Sequence, residues 1–156
     1  MRSIARNKNK RKPVQTMGNI LLIDDDAAFL KLLEDYVAEH YPSLHVLTCN
    51  DPIKCLVSIT ADLDLLLVDL EMPALDGSKV LAYALSKGLN KNRIVIVSGH
   101  DADYLHERFP MGTCLAVLNK FEGKQKRVLD MIFKSLHQKS LAKAACPMPG
   151  QGNTTS

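Results

Sequence analysis

The sequence predicts an α/β domain: a doubly wound, five-stranded parallel sheet with five helices. Three observations predict it. Short runs of Leu, Val and Ile alternate strictly with stretches of helical periodicity. The runs are apolar at successive positions, as in strands covered on both faces. Several of them end abruptly at a polar or charged residue, most sharply at Asp69, where Leu65-Leu66-Leu67-Val68 gives way to a carboxylate and then to turn-formers. Right-handed crossovers between parallel strands bring such ends to one edge of a sheet.

Each element follows in order. Residues 19–23 form the first strand and lead into Asp24-Asp25-Asp26. Asp26 caps a helix over residues 27–40, with Leu30, Leu33 and Val37 on one face and Phe29, Leu32 and Tyr36 beside it. Pro42-Ser43 turns the chain into a strand over residues 44–48. Asp51-Pro52 supplies a cap and a first-turn proline. The short helix that follows reaches about Thr60 and buries Ile53, Leu56, Val57 and Ile59. Residues 63–69 are the third strand, which Pro73 keeps from running on into a helix. Asp76-Gly77 opens a helix over residues 77–87, with Val80, Leu81, Ala84 and Leu85 inward and Gly88 just past its end. Residues 93–97 are the fourth strand, ending in Ser98-Gly99. A short helix over residues 101–108 is stopped by Phe109-Pro110 and Gly112. Residues 114–118 are the fifth strand, followed by Asn119-Lys120. The last helix spans residues 122–137, with Val128, Leu129, Ile132, Phe133 and Leu136 inward.

A chain of 156 residues fits one domain and buries a core without staples. With few aromatics and no Trp, that core is Leu, Val, Ile and Ala. The organisation reads as a basic unstructured arm over residues 1–17, a folded unit over 18–138, and a helix extension with a Pro- and Gly-rich tail over 139–156. Arg2, Arg6, Lys8, Lys10, Arg11 and Lys12 outweigh the chain's net charge of +3, so the remainder is mildly acidic. The arm would attract nucleic acid or an acidic surface only weakly, because no aromatics interleave its charges; a solubilising tail is the plainer reading. Cys49, Cys55, Cys114 and Cys146 show no C-x-x-C pair and no His at ligand spacing. They read as reduced thiols, which suits a cytoplasmic protein. No apolar run is long enough to span a membrane, and no apolar segment follows the basic N-terminus as a secretory signal requires.

The strand ends carry the chemistry: Asp24 and Asp25 after the first strand, Asp69 at the third, Ser98 at the fourth, Lys120 at the fifth. Taken singly, each reads as a cap, a turn residue or a solvated charge. Taken together at one sheet edge, they are no longer independent. Two carboxylates about 4 Å apart repel by roughly 4 kcal/mol at a surface-like dielectric, so the cluster needs protons or a cation. Hard oxygen ligands with room for water suit Mg²⁺. Lys120 adds a point charge suited to phosphoryl oxygens and Ser98 a hydroxyl donor. The set fits a carboxylate nucleophile, Asp69, attacking phosphorus.

Residues 18 to about 137 resemble a response-regulator receiver domain of two-component phosphorelays, of the single-domain chemotaxis-regulator kind. The resemblance rests on Ile23-Asp24-Asp25-Asp26, on Asp69-x-x-Met72-Pro73-x-x-Asp76-Gly77, on Val97-Ser98-Gly99 and on Lys120. It implies a flavodoxin-like fold and a phosphorylation switch in signal transduction, without metabolic turnover. By this resemblance Asp69 is the phosphoacceptor, and Asp25 contacts Mg²⁺ directly and Asp24 mainly through water. The backbone carbonyl of Glu71 is the third protein ligand. Ser98 rearranges to bond the phosphoryl group, and Lys120 pairs with it. The implied partners are a sensor histidine kinase or phosphotransfer protein, a downstream protein bound near the fourth helix, fifth strand and fifth helix, and a possible second copy of the chain. Two positions depart from the family pattern: Phe121 stands where Pro is usual, so a trans bond is expected, and Val117 stands where the family's switching aromatic is usual.

Two other classes compete. A haloacid-dehalogenase-like phosphatase also uses a strand-end Asp, Mg²⁺, a hydroxyl and a Lys. It wants Thr or Val after the acid two residues on, where this chain has Met72-Pro73. A phosphorylation-independent binding module tethered by the basic arm is the other; an intact set of Asp25, Asp69, Ser98 and Lys120 weighs against it.

Overall fold

The computed structural model describes residues 18–145, with side chains through residue 143. The sheet has five parallel strands in the order β2-β1-β3-β4-β5. These are β1 (Gly18–Ile23), β2 (Leu44–Cys49), β3 (Leu65–Asp69), β4 (Ile94–Ser98) and β5 (Ala116–Asn119). The helices are α1 (Ala27–His40), α2 (Pro52–Cys55), α3 (Gly77–Ser86), α4 (Ala102–Arg108) and α5 (Gly123–Ala145). The strand order steps outward from β1 in both directions, so helices cover both faces. The basic arm expected over residues 1–17 and the tail beyond residue 145 lie outside the described residues.

Two apolar layers sandwich the sheet. Ile20 and Leu22, Leu65 and Leu67, and Val95 and Val97 point toward α1 and α5, onto Leu30, Leu33, Val37, Leu129 and Phe133. Leu21 and Ile23, Leu66 and Val68, and Ile94 and Ile96 point the other way, onto Cys55, Val80, Leu81, Ala84 and Leu105. Successive side chains alternate between faces, so runs that look uniformly apolar are two buried stripes. Asp26 caps α1, Asp51 caps α2, Asp76 caps α3 and Asp101 caps α4, each accepting backbone N–H groups of its first turn. Gly88 takes a φ of 95° just past α3, where a side chain would be strained.

Several expectations are corrected. α2 is one turn, continued by a 3₁₀ turn over Leu56–Ser58. Its inward stripe is Pro52, Cys55 and Ile59, while Ile53 and Val57 are 52% and 84% exposed. Ile59 is buried as expected and Leu56 is half-buried; the turn is rotated so that Pro52 and Cys55 face the core in place of Ile53 and Val57. Leu85 also faces solvent, one position past buried Ala84, and Leu32, beside the α1 stripe, is exposed too. β5 begins at Ala116, and α5 continues past residue 137 to Ala145, through the start of the expected helix extension. Its pattern fades because the helix passes the end of the sheet, where Ser140 is the residue it buries.

Cys49 and Cys55 form a disulfide, with sulfurs 1.97 Å and Cα atoms 5.9 Å apart. The expectation of reduced thiols is therefore overturned for this pair, and with it the argument from reduced thiols to a cytoplasmic location. The end of β2 and the end of α2 meet because the intervening Asp51-Pro52 turn reverses the chain. Cys114 is a buried free thiol, and Cys146 lies outside the described residues. No helix among the described residues is long and apolar enough to cross a membrane.

Candidate functional site

Parallel register sets the site. Ile23 pairs with Val68, Asp69 with Val97, and Ser98 with Asn119. The carboxyl ends of β1, β3, β4 and β5 therefore stop at one level, and Asp24, Asp69, Ser98 and Lys120 meet there. Asp24, Asp25 and Asp69 each offer a carboxylate oxygen within 4.8 Å of the others. Asp24 is wholly buried, Asp69 is 3% exposed, and Asp25 faces solvent.

Lys120 bridges the buried pair. Its Nζ lies 2.6 Å from Oδ2 of Asp24 and 3.4 Å from Oδ1 of Asp69. The ring of Phe29 lies 4.6 Å away on α1, a cation–π contact that shields the ammonium. Oδ1 of Asp24 accepts the Asp26 N–H at 2.9 Å. Oδ2 has the ion pair but no aligned hydrogen bond.

Burial, and then the charge of Asp24, push the Asp69 carboxyl up to about 7. Burial raises Asp24 as well, against the pull of Lys120. Burial by itself would lower Lys120, but its contacts with Asp24 and Asp69 raise it above the ordinary range. One ammonium thus serves two buried carboxylates and leaves negative charge over. Clustered hard oxygens, more negative charge than Lys120 balances, and an exposed third carboxylate fit a small divalent cation such as Mg²⁺.

The turn after β3 holds Asp69 in place. Gly77 N–H donates to Leu70 O at 2.9 Å, folding the turn back onto the strand. A Cβ on Gly77 would collide with the Asp69 carbonyl oxygen and lie 2.8 Å from the Leu70 Cα. Asp76, capping α3, also takes Arg108 of α4 at 3.1 Å. Asp76-Gly77 is therefore a helix entry, a close approach and a tie to α4 at once.

Ser98 is where expected, at the end of β4, but it does not point its hydroxyl at Asp69. It donates to Oε2 of Glu71 at 2.6 Å. Oε1 of Glu71 accepts the Gly99 N–H at 3.2 Å, and His100 Nε2 lies 3.5 Å from Oε2. The Glu71 carboxylate, and not only the backbone carbonyl expected from the sequence, is therefore part of the site. Nothing in the Glu71-Met72-Pro73 string marks that side chain; the packing of the β3–α3 turn beside β4 does.

Val117 is half-buried against the layer of Leu66 and Ile96, and the departure at Phe121 takes definite form. The Lys120-Phe121 bond is trans, as expected. Phe121 is 81% exposed and its ring edge covers Gly99, where a Cβ would lie 3.2 Å from Cε2. Lys120 N–H donates to Ser98 O at 2.9 Å, and Asn119 Nδ2 donates to His100 O at 2.7 Å. The loop after β4 is thus tied on one side to the β5–α5 loop and on the other to Glu71.

Comparison with known proteins bears on family and fold. The family model for the response regulator receiver domain matches residues 20–132. The chain belongs to that family. Among solved structures, a CheY-like receiver domain protein from Methanospirillum hungatei is 21% identical, with a TM-score of 0.61 over 81% of this chain and 98% of that one. A Francisella response regulator receiver domain is 19% identical, with a TM-score of 0.64 over 79% and 98% of the two chains. A structure described as an adenylate cyclase from Rhodopirellula baltica is 23% identical, with a TM-score of 0.62 over 83% and 94%. At these identities the likeness is one of fold. No curated protein matches the chain.

Proposed function

We propose that this receiver domain is a phosphorylation switch with Asp69 as the phosphoacceptor. The observation that carries the reading is the shared ion pair: Lys120 stands between buried Asp24 and Asp69 at the carboxyl edge of the sheet. A carboxylate oxygen of Asp69 attacks the phosphorus of a phosphohistidine on a sensor kinase or phosphotransfer protein. The new P–O bond forms as the P–N bond breaks, and the leaving imidazole takes up a proton. Lys120 and the aspartates order the reacting groups; the transfer itself is chiefly positioning and charge balance.

Asp25 and the Asp69 carboxylate would hold Mg²⁺ together with the Glu71 backbone carbonyl, with Asp24 acting through water. When bound, the ion neutralises charge on the transferred oxygens. The phosphoryl group then adds charge and strong acceptors beside the β4–α4 loop. Ser98 turns toward it, the loop moves, and the surface around α4, β5 and α5 changes its affinity for a downstream protein or a second copy of the chain. Self-dephosphorylation, not turnover of a substrate, resets the switch. The reading places the chain in the cytoplasm, beside the kinase domain that would feed it.

The test is incubation with acetyl phosphate and Mg²⁺, read on a phosphate-affinity gel, with Asp69→Ala alongside. The expected result is a shifted band that needs both Mg²⁺ and Asp69. Sustained turnover of p-nitrophenyl phosphate would point to a phosphatase and overturn the reading.

A further inference from the structure

Glu71 occupies the Ser98 hydroxyl, which the proposed switch turns toward a phosphoryl group on Asp69. One carboxylate takes the Ser98 hydroxyl at 2.6 Å and the Gly99 N–H at 3.2 Å. A hydroxyl carries one hydrogen and donates it to one acceptor at a time. Ser98 therefore cannot serve Glu71 and a phosphoryl oxygen together. Ser98 Oγ also accepts the His100 N–H at 3.0 Å, so the loop is closed around this arrangement.

We propose that Glu71 is a positioning residue that competes with the phosphoryl group. Its carboxylate acts as a built-in anion, holding Ser98 and Gly99 in the unphosphorylated arrangement until it is displaced. This rests on the phosphorylation-switch reading and adds a regulator to the same site. Displacement has a route into α4. His100, 3.5 Å from Glu71, stacks on Tyr104 with ring centroids 4.1 Å apart. Arg108 donates to the Tyr104 hydroxyl at 3.0 Å and reaches Asp76 at 3.1 Å. Glu71 thus anchors a chain of contacts running along α4 and back to the start of α3.

The competition has a measurable size. Two charge-assisted hydrogen bonds must be given up before the new ligand gains any, which weakens its binding by about tenfold or more. Removing Glu71 also removes a negative charge near Asp69, so a simple gain of affinity does not by itself identify the mechanism. A double-mutant cycle with Ser98 separates the two effects.

The experiment titrates beryllofluoride in excess Mg²⁺ into the wild-type chain, Glu71→Ala, Ser98→Ala and the double variant, following backbone amide resonances. Glu71→Ala is expected to lower the half-saturating concentration about tenfold and to shift the Gly99 amide before any ligand is added. In the Ser98→Ala background the gain is expected to shrink to about threefold or less. Equal gains in both backgrounds would reduce Glu71 to a charge acting on Asp69 and overturn the proposal. So would an unchanged half-saturation in Glu71→Ala while the wild type binds normally. Failure of both the wild type and Glu71→Ala to bind beryllofluoride or to be labelled by acetyl phosphate would remove the switch reading itself, and the proposal with it.

Discussion

The ammonium of Lys120 lies nearer to Asp24, at 2.6 Å, than to Asp69, at 3.4 Å. The proposed phosphoacceptor is thus the looser partner of the pair. That suits a carboxylate that must accept a new group, while Asp24 keeps the lysine anchored. All three side chains are largely withdrawn from water, so their balance governs stability as well as chemistry.

Replacing Lys120 leaves two buried carboxylates with no cation. Lys120→Met is expected to cost about 3–5 kcal/mol at pH 8, the usual penalty for breaking a buried pair from one side. The penalty should shrink near pH 5, because Asp69, pushed up to about 7, then takes up a proton, and burial moves Asp24 in the same direction. Urea denaturation at the two pH values measures both.

The Asp69 carboxyl, pushed up to about 7 from 3.8, sets a pH window. Between those values the native state holds a proton that the unfolded chain has released. Stability therefore falls as pH rises through this window and levels off above it. Asp69→Asn carries no such penalty, so its melting temperature should exceed that of the wild type at pH 8 and approach it near pH 4. Mg²⁺ should stabilise the wild type more at pH 8 than at pH 5.5 and do little for Asp69→Asn. Thermal melts with and without Mg²⁺ decide it; a wild-type curve flat from pH 4 to 8 would exclude the shift.

Gly77 is required by proximity and not by an unusual φ. Gly77→Ala should push the β3–α3 turn off Asp69 and Leu70, since the added methyl meets backbone and not a movable side chain. A cost of about 1–3 kcal/mol is expected, with weaker labelling by acetyl phosphate. The same change at Gly123, where a Cβ has open space, is the control.

The Cys49–Cys55 bridge closes a short loop at the end of β2. Reduction by dithiothreitol is expected to cost about 2 kcal/mol, from the loop-closure entropy returned to the unfolded chain. The mass should rise by two hydrogens, and Cys49→Ser with Cys55→Ser should melt like the reduced protein. Cys49 touches the site through its backbone, where its carbonyl accepts the Asp24 N–H at 3.2 Å, and β1–β2 pairing holds that bond without the bridge, so labelling at Asp69 should survive reduction.

Much of this protein is settled by local pattern alone. Apolar runs such as Leu65–Asp69 read as strands covered on both faces, because they are short, rich in Leu and Val, and bounded by turn-formers. Parallel connection then brings Asp24, Asp69, Ser98 and Lys120 to one edge whatever the details. The caps Asp26, Asp51, Asp76 and Asp101 are legible for the same reason: each acts within three residues of itself. What the tertiary structure decided are choices among local equivalents. The α2 turn could bury either of two stripes, and packing on β2 selected Pro52, Cys55 and Ile59. Cys49 could remain a thiol until that packing brought Cys55 to it. Glu71 could face water until the β3–α3 turn lay beside the end of β4, across 27 residues of chain, and gave its carboxylate to Ser98. Short-range hydrogen bonds and burial patterns are written in neighbouring residues. A contact between distant ones depends on how elements are rotated and set against each other, which only the packed core specifies.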